Sequence, residues 1–154
     1  MDSNKFNLGI LKLQLSSKIN PTIRVSGSSM YPTLFNGDQI TIERRDEYAI
    51  GDILVFIYKK QELLVHRLIR KEKGIYYCKG DNAFRLENIA FEKIIGVVIL
   101  KNNKPINKWS STLIDLSYSV NRMFVEKRYD VEAVKKTTVY KEYVSKLFAV
   151  ITNS

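Results

Sequence analysis

A chain of 154 residues, 45% hydrophobic and 27% charged, has the composition of a globular protein with room for one domain and a modest core. Lys and Arg number 25 against 16 Asp and Glu, a formal net charge of +9 that suits nucleic acid, an anionic membrane surface or an acidic peptide without choosing among them. The single cysteine, Cys78, excludes an internal disulfide, and no zinc-ligand spacing or Gly-rich phosphate loop appears, so neither a metal nor a cofactor is expected and the charge alone is no argument for nucleic acid.

The first stretch, residues 1–20, carries Lys5, Lys12 and Lys18 among short apolar runs. A membrane-spanning helix needs about 20 mostly apolar residues, and a secretory signal needs an unbroken apolar region. Neither is present in it. Leu8, Leu11, Leu13 and Leu15 instead predict a short amphipathic helix, or a strand, lying on the core.

A short β-type run, Thr22 to Val25, then breaks into Ser26-Gly27-Ser28-Ser29, followed by Met30, Tyr31, Pro32 and the turn Asn36-Gly37-Asp38. Small residues allow close backbone approach, and Gly27 takes dihedrals that a Cβ disfavours. Pro32 restricts its own φ and biases Tyr31 towards an extended shape. A rigid loop presenting one hydroxyl, with Met30 as an apolar anchor beside it, is a way to display a nucleophile. An ordinary Ser/Gly turn is the bland alternative, but Gly-Ser-Ser-Met-Tyr-Pro-Thr-Leu is a longer and rarer pattern than such a turn requires.

Residues 38–100 read as β structure. Gln39 to Glu43 alternates, Ile53 to Tyr58 is apolar, and a polar connection leads into Leu63 to Arg70. A Lys-Glu-Lys-Gly turn then opens Ile75 to Lys79, the run in which Cys78 reads as a small core residue. Short strands at this spacing predict a curled antiparallel sheet or barrel. Alternation puts Leu64, His66 and Leu68 on one face and Leu63, Val65, Arg67 and Ile69 on the other. His66 is the only histidine. Imidazole titrates near neutral pH, so it can take a serine proton without further tuning.

Several segments together resemble the type I signal peptidase family. Ser29-Met30-Tyr31-Pro32-Thr33 is similar to its nucleophile box, a turn shared with the related self-cleaving repressors of the SOS response. Ile50-Gly-Asp-Ile-Leu-Val-Phe56, Val65-His66-Arg67, Lys79-Gly80-Asp81-Asn82 and Ile95-Gly-Val-Val98 follow in the family's order, so the resemblance spans roughly residues 22–100. It implies a serine peptidase with Ser29 as nucleophile and His66 where the family keeps its general base, of the histidine rather than the lysine type. It also implies an acid six residues after the aspartate of Gly-Asp-Asn. That position is Glu87, which is preferred, while Asp81 stays open as the alternative. The oxyanion hole would use the Ser29 N–H, with Gly27 where some members have a further hydroxyl and Ser28 able to supplement it. Met30 and Pro32 complete the expected oxyanion and substrate-binding loop. The family usually carries membrane spans ahead of its serine box, a feature not expected here, so the expected location is cytoplasmic or peripheral to a membrane.

Beyond Leu100 a polar connector, Lys101 to Lys108, leads into helical patterns. Thr112 to Asp115 resembles a capping box, with a stripe of Leu113, Leu116, Val120, Met123 and Phe124. Asp130 is expected to cap a second helix with a stripe of Tyr140, Tyr143, Val144, Leu147, Phe148 and Ile151. The reading is therefore an N-terminal segment (1–20) packed on the core, a mainly β catalytic domain (21–108), and a C-terminal α-helical extension (109–154). The extension packs on the domain, docks a partner protein or lies on a membrane surface. The expected activity is an intracellular serine endopeptidase acting on a leader or precursor peptide. A self-cleaving regulatory module and a non-catalytic peptide-binding protein are the alternatives, and no nucleic acid is expected.

Overall fold

The computed structural model describes residues 8–152. It opens with helix α1, Leu8–Ser16, whose Leu11 and Leu15 are buried one helical turn apart while Leu13 faces out. The expectations for residues 1–7 lie outside the described residues.

Eight strands follow: β1 (Thr22–Arg24), β2 (Gln39–Glu43), β3 (Ile53–Tyr58), β4 (Glu62–Glu72), β5 (Ile75–Lys79), β6 (Glu87–Ala90), β7 (Ile94–Lys101) and β8 (Lys104–Pro105). They form one antiparallel sheet in the order β1-β2-β7-β3-β4-β5-β6, with β8 paired to β7. β1 and β6 end the path as separate edges, so the sheet curls without closing and the closed-barrel alternative is corrected. Bulges in the β2–β7, β3–β7 and β4–β5 ladders bend it.

The sheet is buried on both faces at its centre. Ile53, Val55 and Ile57 of β3 join Leu11, Leu15, Met30, Leu34 and Ile40 in one core. Leu54 and Phe56 join Tyr48, Leu68, Cys78 and Ile89 in the other. Period-two alternation along one fully apolar strand thus feeds two cores at once.

The connector after Leu100 is a correction: Lys101 to Pro105 is a tight hairpin, turned by Asn102 and Asn103 at φ of 49° and 68°. Asparagine tolerates that left-handed region better than most residues. The helical extension is α2 (Ser111–Glu126), α3 (Val131–Lys135) and α4 (Thr138–Thr152). Ser110, not Thr112, caps α2, its hydroxyl accepting from Leu113 N–H. Asp130 caps only the short α3; α4 starts separately, where the Thr137 hydroxyl accepts from Tyr140 N–H. α2, α3 and α4 together bury Leu113, Val120, Phe124, Val134, Tyr143 and Leu147, with Phe84 and Trp109 packed against this third core. No described helix is long and apolar enough to cross a membrane.

Candidate active site

The loop after β1 is held at its neck by backbone bonds from Val25 N–H to Asp38 O and from Gly37 N–H to Val25 O, both 2.8 Å. The Asp38 carboxylate accepts from Phe35 N–H at 2.7 Å. Gly27 sits at φ +88°, and its N–H donates to the Asn36 side chain at 3.0 Å. This tie projects Ser28 and Ser29 from a closed ring of hydrogen bonds. The Tyr31–Pro32 peptide is cis, and Leu34 N–H returns to Met30 O. Met30 is buried, and its Sδ accepts from Asp81 N–H at 3.4 Å.

His66 stands on β4 opposite Leu54, on the same face as Leu64 and Leu68 as alternation predicts. Its Nε2 lies 3.0 Å from Ser29 Oγ and its Nδ1 lies 2.7 Å from Glu87 Oε1. A carboxylate only accepts, so the proton sits on Nδ1 and Nε2 is left to accept from the Ser29 hydroxyl. Glu87 is the first residue of β6, carried there by its pairing with Cys78 on β5. The histidine and glutamate side chains are 8% and 12% exposed, so the pair is shielded from water without being sealed.

Asp81 is elsewhere. It receives a two-pronged ion pair from Arg67 Nε and Nη2, at 3.0 and 2.8 Å, and a hydrogen bond from the Thr33 hydroxyl. Arg67 leaves the opposite face of β4 from His66, donates also to Gly51 O, and lies 3.8 Å beneath the Trp109 ring. Both charges are essentially buried. A pair of this kind contributes rigidity, and loss of one partner costs about 3–5 kcal/mol. Of the two carboxylates open in the sequence, Glu87 meets the histidine and Asp81 ties the Ser29 loop to β4.

Gly80 explains how closely these pieces meet. A Cβ built there would lie 2.6 Å from Ser29 O and 3.2 Å from His66 Nε2, so only glycine fits. Asn82 donates its N–H to Ser29 O and its side-chain amide to Ser28 O, at 2.8 and 3.1 Å. The Ser29 N–H makes no hydrogen bond among the described residues and is free to receive an oxyanion. The Gly27 N–H is already committed to Asn36.

A groove beside this site is lined by Ile23 to Gly27, Ser29, Met30 and Leu63 to Val65. Pro32, expected in the substrate-binding loop, lines a separate depression with Asp81 to Phe84 and with Tyr140, Tyr143, Val144, Leu147 and Phe148 of α4. Sequence reasoning gave no role to Thr33, Arg67, Asn36 or Tyr143. Thr33 and Arg67 stand inside quoted motifs, whereas Asn36 was read only as a turn residue and Tyr143 only as part of an apolar helix stripe.

No curated protein matches this chain. Residues 11–99, from within α1 to within β7, match the family model described as Peptidase S24-like. That match covers more than half of the chain and includes Ser29, His66, Asp81 and Glu87. The chain belongs to the Peptidase S24-like family.

Proposed function

We propose that this protein is a serine endopeptidase of the histidine-base type that cleaves a separate peptide chain. The reading rests on one observation: the continuous hydrogen-bonded series Ser29 Oγ, His66 Nε2, His66 Nδ1, Glu87 Oε1, at 3.0 and 2.7 Å. The Ser29 oxygen attacks the scissile carbonyl while His66 takes its proton, and Glu87 steadies the imidazolium that forms. The tetrahedral oxyanion rests on the Ser29 N–H. Collapse expels the amine with the proton returned by His66 and leaves an acyl-serine. Water, deprotonated by the same histidine, then hydrolyses that ester. Asp81 acts through Arg67 and Thr33 and takes no proton.

The groove suits an extended substrate. β1 pairs only with β2, and residues 62–66 of β4 pair with β3 but not with β5, whose ladder starts at Arg67. Among the described residues two strand edges thus face the groove unpaired, the arrangement by which a peptide adds as a strand. The leader of a precursor peptide, met in the cytoplasm, is the substrate this fits. The family match also favours a second reading, a self-cleaving module, although the chain contains no Ala-Gly or Cys-Gly bond of the kind such repressors cut.

Incubating the pure protein with a peptide library, and following both by mass spectrometry, separates the two. Fragments from the library with an intact protein support the peptidase, provided that Ser29→Ala abolishes them. Fragments of the protein alone transfer the chain to the self-cleaving reading.

A further inference from the structure

The segment from Gly80 to Phe84 lies between the proposed catalytic residues and the helical extension, and it is gripped from both sides. On the site side Asn82 holds the Ser28 and Ser29 carbonyls. On the helix side its own carbonyls are taken by side chains from the extension. The Tyr143 hydroxyl of α4 donates to Asp81 O at 2.6 Å, and the Asn121 amide of α2 donates to Phe84 O at 2.8 Å. Both residues are buried, at 2% and 8% exposure. The carbonyls that they hold belong to the residue before Asn82 and to the residue three places before Glu87.

Helices that merely cover a sheet do so with apolar side chains. Burying a polar side chain against a turn is favourable only where its hydrogen bond is made, and leaving the partner unmet is destabilising. Two such bonds, aimed at two carbonyls of the one segment that carries Asn82 and leads into Glu87, fix that segment in place. A displacement of about 1 Å in a catalytic group lowers turnover by about 100-fold.

We propose that Tyr143 and Asn121 are positioning residues for the Ser29–His66–Glu87 site, acting through the Gly80–Phe84 segment. The proposal rests on the serine peptidase reading and adds to it a requirement: the C-terminal helices belong to the working site. Neither Tyr143 nor Asn121 lines the groove proposed for the substrate, so the effect falls on the chemical step rather than on binding.

The test is Tyr143→Phe in the full chain, with Asn121→Ala as a second, independent variant. Tyr143→Phe removes only the hydroxyl and keeps the ring against Trp109 and Lys79. The expected result is a fall in kcat of about tenfold with KM changed by less than about twofold. Because His66 is the only histidine, the far-downfield proton of its Nδ1–H bond to Glu87 is a single NMR signal that needs no substrate. It should broaden or exchange faster in both variants. If Tm falls while kcat stays within about twofold and that signal is unchanged, the two residues only stabilise the fold and the proposal is overturned. If the wild type cleaves nothing that Ser29→Ala spares, the peptidase reading fails instead, and the NMR signal alone decides the positioning.

Discussion

Lys79 offers a stability measurement whose size follows from its surroundings. Its side chain is fully buried at the end of β5, with Nζ 3.0 Å from Ser117 Oγ, 3.3 Å from Gly80 O and 4.8 Å from the centre of the Tyr143 ring. Burial, partly offset by the charges of Asp81 and Glu87, lowers its pKa from 10.5 to about 8. A shift of that size corresponds to about 3 kcal/mol between the charged and neutral forms. The folded state releases this proton more readily than the unfolded state, so between about pH 8 and pH 10 the unfolded chain binds more protons and stability rises with pH. Below pH 8 both states are charged and the full penalty stands. Integrating the two titrations gives about 2 kcal/mol recovered from pH 8 to pH 10, or roughly 4–8 °C in Tm for a chain of this length. Burial suppresses the ionisation of Cys78, Tyr48 and Tyr143 by raising their pKa, which acts in the opposite sense at high pH. The comparison is therefore wild type minus Lys79→Met, by urea unfolding across that range, in which those groups cancel. The difference should grow by about 2 kcal/mol in favour of the wild type as pH rises. Parallel curves within about 0.5 kcal/mol would mean that Lys79 does not titrate there and would refute the reasoning.

The two carboxylates should separate by what they lose. Glu87→Gln is expected to lower kcat by more than about 100-fold with little change in Tm, whereas Asp81→Asn should cost about 3 kcal/mol or more in denaturant unfolding by stranding Arg67; the reverse pattern would move the acid role to Asp81. Gly80→Ala would push a methyl group against Ser29 O, and should cost about 1–3 kcal/mol and more than about tenfold in cleavage rate, read by calorimetry and peptide assay. Wild-type values for both would show that the close approach at Gly80 is dispensable.

Much of the fold was legible because β2, β3 and β5 begin and end where alternation and turn residues change, and the structure keeps those bounds. His66 was placed on a face by period two alone. Glu87 was found only by counting from Asp81, because its strand is four residues long and carries no alternation worth reading. The hairpin at Asn102-Asn103 was hidden in polar composition, and the open edges of the sheet depend on pairings that no local pattern encodes. Buried Arg67 and Lys79 ran against the rule that such residues stay in water. Their partners, Asp81, Trp109, Ser117 and Tyr143, lie 14 to 64 positions away in sequence, and tertiary contact alone reveals them. The helix stripes predicted packing, but they gave no role to the Tyr143 hydroxyl and did not include Asn121.

The central claim, that Ser29 and His66 work as one unit, is tested most directly by turnover of a single peptide substrate by Ser29→Ala, His66→Ala and the double variant, each checked for a cooperative unfolding transition. Each single substitution should lower kcat/KM by at least about 1,000-fold, and the double should fall within about threefold of the worse single, because members of such a unit do not add. Losses that multiply in the double variant, or cleavage retained by Ser29→Ala, would contradict it.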